Sequence, residues 1–208
     1  VSLDMPCDAT AGLDTWVSSV TEAIRSNELR DLILVAHGMA APAVLQVAAQ
    51  LDTPPKRVVL LAGVIPKYGS SSLSSLCLPV QIALQNPLGA SNMKIPRTLL
   101  NYYLCNDLDP MDAIQIAGRF IQVPIALLHS TVSLPQIAQE VKGSIWEFGG
   151  ATVNSFVSAD CPITYVVLWR DRLISPESQR HMAARLPDTS VVEFNSCHQV
   201  TIERPKEV

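Results

Sequence analysis

Three places in the sequence carry residue types that together could do acid–base chemistry at a carbonyl group. The tight turn "AHGMA" (36–40) joins an apolar strand to an alanine-rich helix, with Gly38 at its centre. Asp171 follows another apolar strand, and His198 follows the last one. A carboxylate that orients an imidazole makes it an effective base, because it fixes the tautomer that accepts a proton. His198 and Asp171 could together do such acid–base work, and Gly38 lies at the turn that follows the first of these strands.

Each member of this dyad also has a purely structural interpretation. Asp171 could cap the helix that begins near Ser175 and Pro176, and His198 could be an ordinary loop imidazole. Both residues nevertheless directly follow strands, at the carboxyl ends where the sites of open α/β sheets collect. That coincidence favours the dyad over two unrelated residues.

Other reactive side chains lie near these positions. His37 adjoins the turn, and its alternation with Gly38 predicts that it packs or points to the opposite face. Cys7 follows a predicted strand, at the edge where sites of open α/β sheets collect. We assign His37, Cys7 and Trp146 to the substrate pocket, with packing as the alternative for each. Cys197 is expected to line the core.

The elements that must position these residues alternate between strands and helices, which predicts an α/β fold with a mostly parallel central sheet flanked by helices. The candidate strands are "VSLDM", "DLILVAH", "RVVLLAGV", "ITYVVLWRD" and "SVVEFNSCH". The run "DLILVAH" is predicted to be buried on both faces. Residues 65–156 lack a comparable strand and are predicted to form a mainly helical cap after the third strand. The core then comprises residues 1–64 and 157–208.

The order of turn, acid and histidine resembles the α/β-hydrolase superfamily, whose triad runs nucleophile, acid, histidine. Three stretches resemble its methylesterase and hydroxynitrile-lyase branch and the bacterial esterase relatives of that branch. They are "CPITYVVLWRDRLISPESQRHMAARLP", "NYYLCNDLDPMDAIQIAGRF" and "CHQVTIERPKEV". The resemblance implies the α/β-hydrolase fold, His198 as the base, Asp171 as the acid and the backbone N–H of Met39 in an oxyanion hole.

The sequence departs from that superfamily at the nucleophile. The superfamily motif G-x-S-x-G is replaced by "AHGMA", so Gly38 stands at the serine position. Glycine tolerates the strained backbone of such a turn but cannot form an acyl intermediate. Ala40 and Ala41 also stand where that superfamily commonly has glycines, which favours natural divergence over an engineered change.

Three functions remain open at this point. The chain could be a relative of small-ester carboxylesterases in which water activated by His198 gives weak hydrolysis. It could be a non-hydrolytic lyase or isomerase that uses the dyad, or a ligand-binding pseudoenzyme. The apolar stretch "QIALQNPLGASNMKIPRTLL" favours a small, largely apolar ester or related molecule as the partner. We expect no cofactor and no metal site.

Composition narrows the classes of partner. The net charge is −4 and Lys and Arg do not cluster, which argues against nucleic acid and anionic membranes. No apolar run reaches the ~18 residues of a membrane span. The 5 cysteines are scattered without a CxxC pair, which predicts reduced thiols in a cytoplasmic protein. Exposed sheet edges would allow a homodimer.

The resemblance also implies segments that these 208 residues do not contain. The superfamily places an oxyanion-hole loop after a strand that precedes "VSLDM". In its sheet that strand lies between "VSLDM" and "DLILVAH", and a closing helix begins where "ERPKEV" stops. We expect a longer chain, or a second chain, to supply these segments.

Overall fold

A computed structural model describes most of the chain. The described residues are 1–8, 10–67, 70–85, 92–93, 95–119, 123–130, 146–148, 151–153 and 161–208. The side chain of Trp146 lies outside the described part, as does much of the second half of the predicted cap.

The elements are numbered in chain order. The strands are β1 (Ile33–His37), β2 (Arg57–Leu61), β3 (Asn92–Met93), β4 (Val123–Pro124), β5 (Trp146–Phe148), β6 (Ala151–Val153), β7 (Ile163–Leu168) and β8 (Thr189–Phe194). The helices are α1 (Leu13–Ser26), α2 (Ala41–Gln50), α3 (Leu78–Leu84), α4 (Arg97–Leu99), α5 (Pro110–Arg119), α6 (Ile125–His129), α7 (Pro176–Ala183) and α8 (Val200–Glu203). Short 3₁₀ turns cover Gly38–Ala40 and Ser72–Ser75, and a π-helical turn covers Leu100–Leu104.

A four-stranded parallel sheet organises the core, in the order β1-β2-β7-β8. His37 lies opposite Leu61 across β1 and β2, and Leu168 lies opposite Phe194 across β7 and β8. The carboxyl ends of all four strands therefore meet at one edge. This arrangement confirms the predicted α/β class and brings the loops after β1, β7 and β8 together.

The main core lies between one face of this sheet and the helices α2 and α7. The fully buried strand residues Leu60, Ile163 and Tyr165 belong to it, with Met182 from α7. A second cluster joins α1 to α2, since the buried stripe Val17, Val20 and Ile24 packs on Ala43 and Val47. The opposite face carries a smaller cluster around Leu168 and Val200.

Two predictions about the first strands are wrong. Ile33 and Val35 of β1 are 60% and 56% exposed, although the run was expected to be buried on both faces. Ile33 and Val35 lie on one face of β1, over which no described cluster packs, whereas Leu34 and Ala36 on its other face pack against the core. Residues 1–5 are not a strand, because a strand needs a neighbour for its backbone groups and these residues are largely exposed.

The segment between β2 and β7 contains helices α3 to α6 and two small antiparallel pairs, β3–β4 and β5–β6. The division into a core and a cap at residues 65–156 stays a prediction. Among the described helices, none has both the length and the apolar character needed to span a bilayer.

Candidate functional site

The turn after β1 has the geometry that the sequence indicated. Its backbone is extended at His37 and left-handed at Gly38, where φ is +53°. Glycine adopts this conformation without a Cβ clash. The backbone N–H of Val64, just beyond β2, donates to the Gly38 carbonyl at 2.9 Å. Helix α2 begins directly after the turn, so the conformation of Gly38 is held from both sides.

The open side of Gly38 faces His198. A Cβ placed at Gly38 would lie 3.5 Å from Nε2 of His198 and 3.7 Å from Cε1, which is ordinary van der Waals contact. A side chain at this position would therefore point at the imidazole nitrogen without a clash. Among the described residues, His198 supplies the atoms that a Cβ at Gly38 would meet within 4 Å.

Asp171 and His198 form a buried hydrogen-bonded pair. Nδ1 of His198 donates to Oδ2 of Asp171 at 2.7 Å, and the two residues are 5% and 4% exposed. Oδ1 of Asp171 accepts the backbone N–H groups of Leu173 and Ile174 at 2.8 and 3.0 Å. These donors offset the cost of burying the carboxylate. With the proton on Nδ1, Nε2 is the free base that faces Gly38.

Asp171 does not cap the following helix. Ser175 is the N-cap of α7, and its hydroxyl oxygen accepts the backbone N–H of Ser178 at 3.2 Å. The carboxylate of Asp171 instead accepts hydrogen bonds from the imidazole, from backbone N–H groups of its own loop and from the Gln179 amide of α7.

His37 lies against the ring of His198. The two ring centroids are 4.6 Å apart and the planes are tilted by 34°. Burial, and then the neighbouring His198, lower the pKa of His37 to about 3. Its Nε2 is enclosed and has no hydrogen-bond partner among the described residues. His37 is thus a neutral imidazole packed against the base, and its low pKa argues against a role as a second base.

A polar cluster ties together the loops that carry the dyad. Arg170 donates its backbone N–H to the Ser196 carbonyl at 2.9 Å and its Nε to Oδ1 of Asn195 at 3.0 Å. The carboxylate of Glu203 accepts from Arg170, from the Ser196 hydroxyl at 2.7 Å and from the Cys197 N–H at 2.8 Å. Burial alone would raise the pKa of Glu203, but these donors outweigh it and lower the pKa to about 2.

Sequence reasoning missed Arg170, Glu203 and Gln179. Glu203 and Arg170 stand close to His198 and Asp171 in the sequence, yet adjacency does not reveal that they pair with each other. Gln179 carried a stronger signal. It lies three and four residues before Met182 and Ala183, so it interrupts the apolar stripe of α7 with a polar group.

The other predicted site residues are placed as follows. Met39 lies in the first turn after Gly38, where helical N–H groups lack an intrahelical acceptor, as an oxyanion donor requires. Cys197 is fully buried, and burial raises the pKa of its thiol to about 12, so it remains an uncharged core thiol. No hydrogen bond among the described residues joins Cys7 to the dyad. Nor do they contain a group of three or more potential metal ligands.

Neither a protein-family model nor a curated protein matches the sequence. Solved structures do match over nearly all of the chain. An extracellular α/β-hydrolase from a Paenibacillus species, described as sharing structural and functional homology with tobacco salicylic acid binding protein 2, is 17% identical, with a TM-score of 0.75 over 96% of this chain and 78% of its own.

Two plant enzymes match in the same way. The methylesterase MES16 from Arabidopsis is 13% identical, with a TM-score of 0.62 over 94% of this chain and 74% of its own. Methylketone synthase I from tomato is 15% identical, with a TM-score of 0.63 over 94% of this chain and 74% of its own. Together with the parallel sheet and the turn before α2, these likenesses show that the chain has the α/β-hydrolase fold.

Proposed function

We propose that this chain is a non-hydrolytic acid–base enzyme of the lyase type, which moves a proton on a small, largely apolar carbonyl compound. The observation that carries the proposal is that a complete dyad of Asp171 and His198 faces Gly38, a position that has no nucleophilic side chain. Nε2 of His198 faces Gly38, where the Cβ of a nucleophilic residue would lie 3.5 Å away.

The dyad supplies what a proton transfer needs. Asp171 holds the Nδ1–H tautomer of His198 at 2.7 Å, which leaves Nε2 free to accept a proton and to return it. The neutral ring of His37 beside it and the buried carboxylate behind it keep the imidazole in one orientation. A covalent acyl route is closed, because Gly38 has no side chain.

The ligands of one similar structure suggest a substrate class. Methylketone synthase I has been crystallised with β-ketoheptanoate in a histidine variant and with 2-tridecanone. A β-keto acid loses CO₂ when its C–C bond breaks and the electron pair passes to the ketone as an enolate. In the proposed step, Nε2 of His198 first takes the proton of the carboxyl group, which becomes a carboxylate. After CO₂ leaves, the resulting imidazolium returns that proton to the enolate carbon, which gives the methyl ketone and restores the neutral imidazole.

Weak ester hydrolysis is the second candidate, and the space above Gly38 favours it. A water molecule placed there would lie within reach of Nε2, so His198 could activate it for direct attack on an ester. This route lacks an acyl intermediate and is expected to be slow. One of the similar structures is a methylesterase, which supports ester chemistry as the alternative.

The test measures both reactions with the same protein. We expect conversion of β-ketoheptanoate to 2-hexanone and CO₂ faster than the uncatalysed reaction, followed by NMR, and little release of p-nitrophenol from its acetate and butyrate esters. His198→Ala should slow the decarboxylation by about 10²- to 10⁴-fold, the usual contribution of a general acid–base group. His181→Ala, which removes an exposed histidine of α7, is the matched control and should change nothing.

Two results would overturn the proposal. One is ester hydrolysis that exceeds decarboxylation, which would favour the water-activated route. The other is binding of 2-tridecanone without turnover, unaffected by His198→Ala, which would indicate a ligand-binding protein.

A further inference from the structure

Gln179 is a fully buried amide on α7 that contacts the carboxylate of Asp171. Its Nε2 donates to Oδ2 of Asp171 at 3.0 Å and to the carbonyl of Ile174 at 2.7 Å. Its Oε1 accepts the backbone N–H of Leu168 at 2.8 Å. The side chain is 0% exposed, so water does not compete for these contacts.

We propose that Gln179 is a positioning residue that sets the orientation of the Asp171 carboxylate toward His198. Oδ1 of Asp171 is held by two backbone N–H groups of its own loop. Oδ2, the oxygen that receives the Nδ1–H of His198, has Gln179 as its other donor among the described residues. The amide therefore controls the one oxygen on which the orientation of the base depends.

The amide has a single favourable orientation. If Nε2 and Oε1 exchanged places, an oxygen would face both Oδ2 of Asp171 and the Ile174 carbonyl, and an N–H would face the Leu168 N–H. All three contacts would become repulsive. The end of β7 at Leu168 thus determines the orientation of the amide, and the amide in turn determines the position of Oδ2.

No other common side chain supplies this set of contacts. Methionine has similar length but no donor, so Oδ2 would lose one of the two hydrogen bonds it makes among the described residues. Glutamate has similar shape but would place a second carboxyl group against Asp171. In either variant we expect the carboxylate to rotate or to share a proton, so that the hydrogen bond to His198 is weakened.

The test observes the Nδ1 proton of His198 by NMR in the complete chain. A proton held at 2.7 Å between an imidazole and a buried carboxylate resonates far downfield of the backbone amides. Asp171→Asn assigns the resonance by removing it. Gln179→Met should shift it upfield or broaden it beyond detection, while circular dichroism and thermal unfolding report whether the fold persists. Gln46→Met is the matched control, since Gln46 is a buried glutamine on α2.

The outcomes separate cleanly. A folded Gln179→Met chain with an unchanged resonance would overturn the proposal, and so would absence of the resonance in the parent chain. If Gln179→Met fails to fold, Gln179→Glu is measured instead, and an unchanged resonance there would also overturn it. The proposal concerns the dyad of the proposed function, but this readout needs no substrate. Failure of the turnover assay therefore leaves it intact.

Discussion

Restoring a side chain at the turn is the most direct perturbation of this site. Gly38→Ser places a hydroxyl one bond beyond a Cβ that lies 3.5 Å from Nε2 of His198, so the two groups come within hydrogen-bonding distance. With φ at +53°, a non-glycine residue costs about 1–2 kcal/mol of stability. The new hydrogen bond to His198 returns about 0.5–1.5 kcal/mol of that cost.

Gly38→Ala is the matched control, because it carries the same backbone cost without the hydroxyl. We expect Gly38→Ala to be less stable than the parent chain by about 1–2 kcal/mol and Gly38→Ser to lie between them. For a chain of this length, each kcal/mol corresponds to roughly 2–4 °C in Tm. Differential scanning calorimetry can therefore separate the three proteins.

The activity assay uses p-nitrophenyl acetate. Gly38→Ser should turn over the ester at least about 10²-fold faster than Gly38→Ala, since a serine with a base and an oriented acid forms an acyl-enzyme. Mass spectrometry of the quenched reaction should detect the acetylated chain. Adding His198→Ala should abolish both signals. Equal turnover by the serine and alanine variants, or turnover that survives His198→Ala, would refute the geometry described for the turn.

Two predictions concern acid stability. The folded pKa of Glu203 is about 2 against an ordinary 4.5, so its contribution is complete above pH 4.5 and is lost as the pH falls toward 2. Glu203→Gln should lower the free energy of unfolding at pH 7 by roughly 2–3 kcal/mol relative to the parent chain. Urea titrations should show this difference disappearing as the pH falls to 2, and a difference that stays constant with pH would contradict the mechanism. The pKa of His37 is about 3 in the folded chain and 6.5 in the unfolded chain. The unfolded chain therefore takes up an extra proton below pH 6.5, and the free energy of unfolding decreases as the pH falls from 6.5 towards 3. His37→Leu should remove this pH dependence, which amounts to a slope of up to about 1.4 kcal/mol per pH unit in the free energy of unfolding. The control His181→Leu, at an exposed site, should retain it. The same slope in both variants would disprove the assignment.

Short-range patterns account for what could be predicted. The apolar periodicity of α1 and the apolar runs of β2 and β7 reflect burial of one face or of both, so the sequence indicates them directly. Because parallel strands end at one edge, the order of strands, together with the resemblance to the α/β-hydrolase superfamily, predicted that Gly38, Asp171 and His198 would converge. The left-handed backbone at Gly38 agrees with a residue that has no Cβ.

The tertiary structure decided what depends on contacts between distant segments. Ile33 and Val35 are exposed because no described cluster packs on that face of β1, and no local pattern reveals which elements cover a strand. The contact between Glu203 and Arg170 joins helix α8 to the loop after β7, and Gln179 reaches Asp171 only because α7 packs back on β7. The sequence by itself determined which residues stand at the carboxyl edge of the sheet. Only the packing of the helices and loops decided which side chains hold them there, because hydrogen bonds in a buried site require partners brought together from separate parts of the chain.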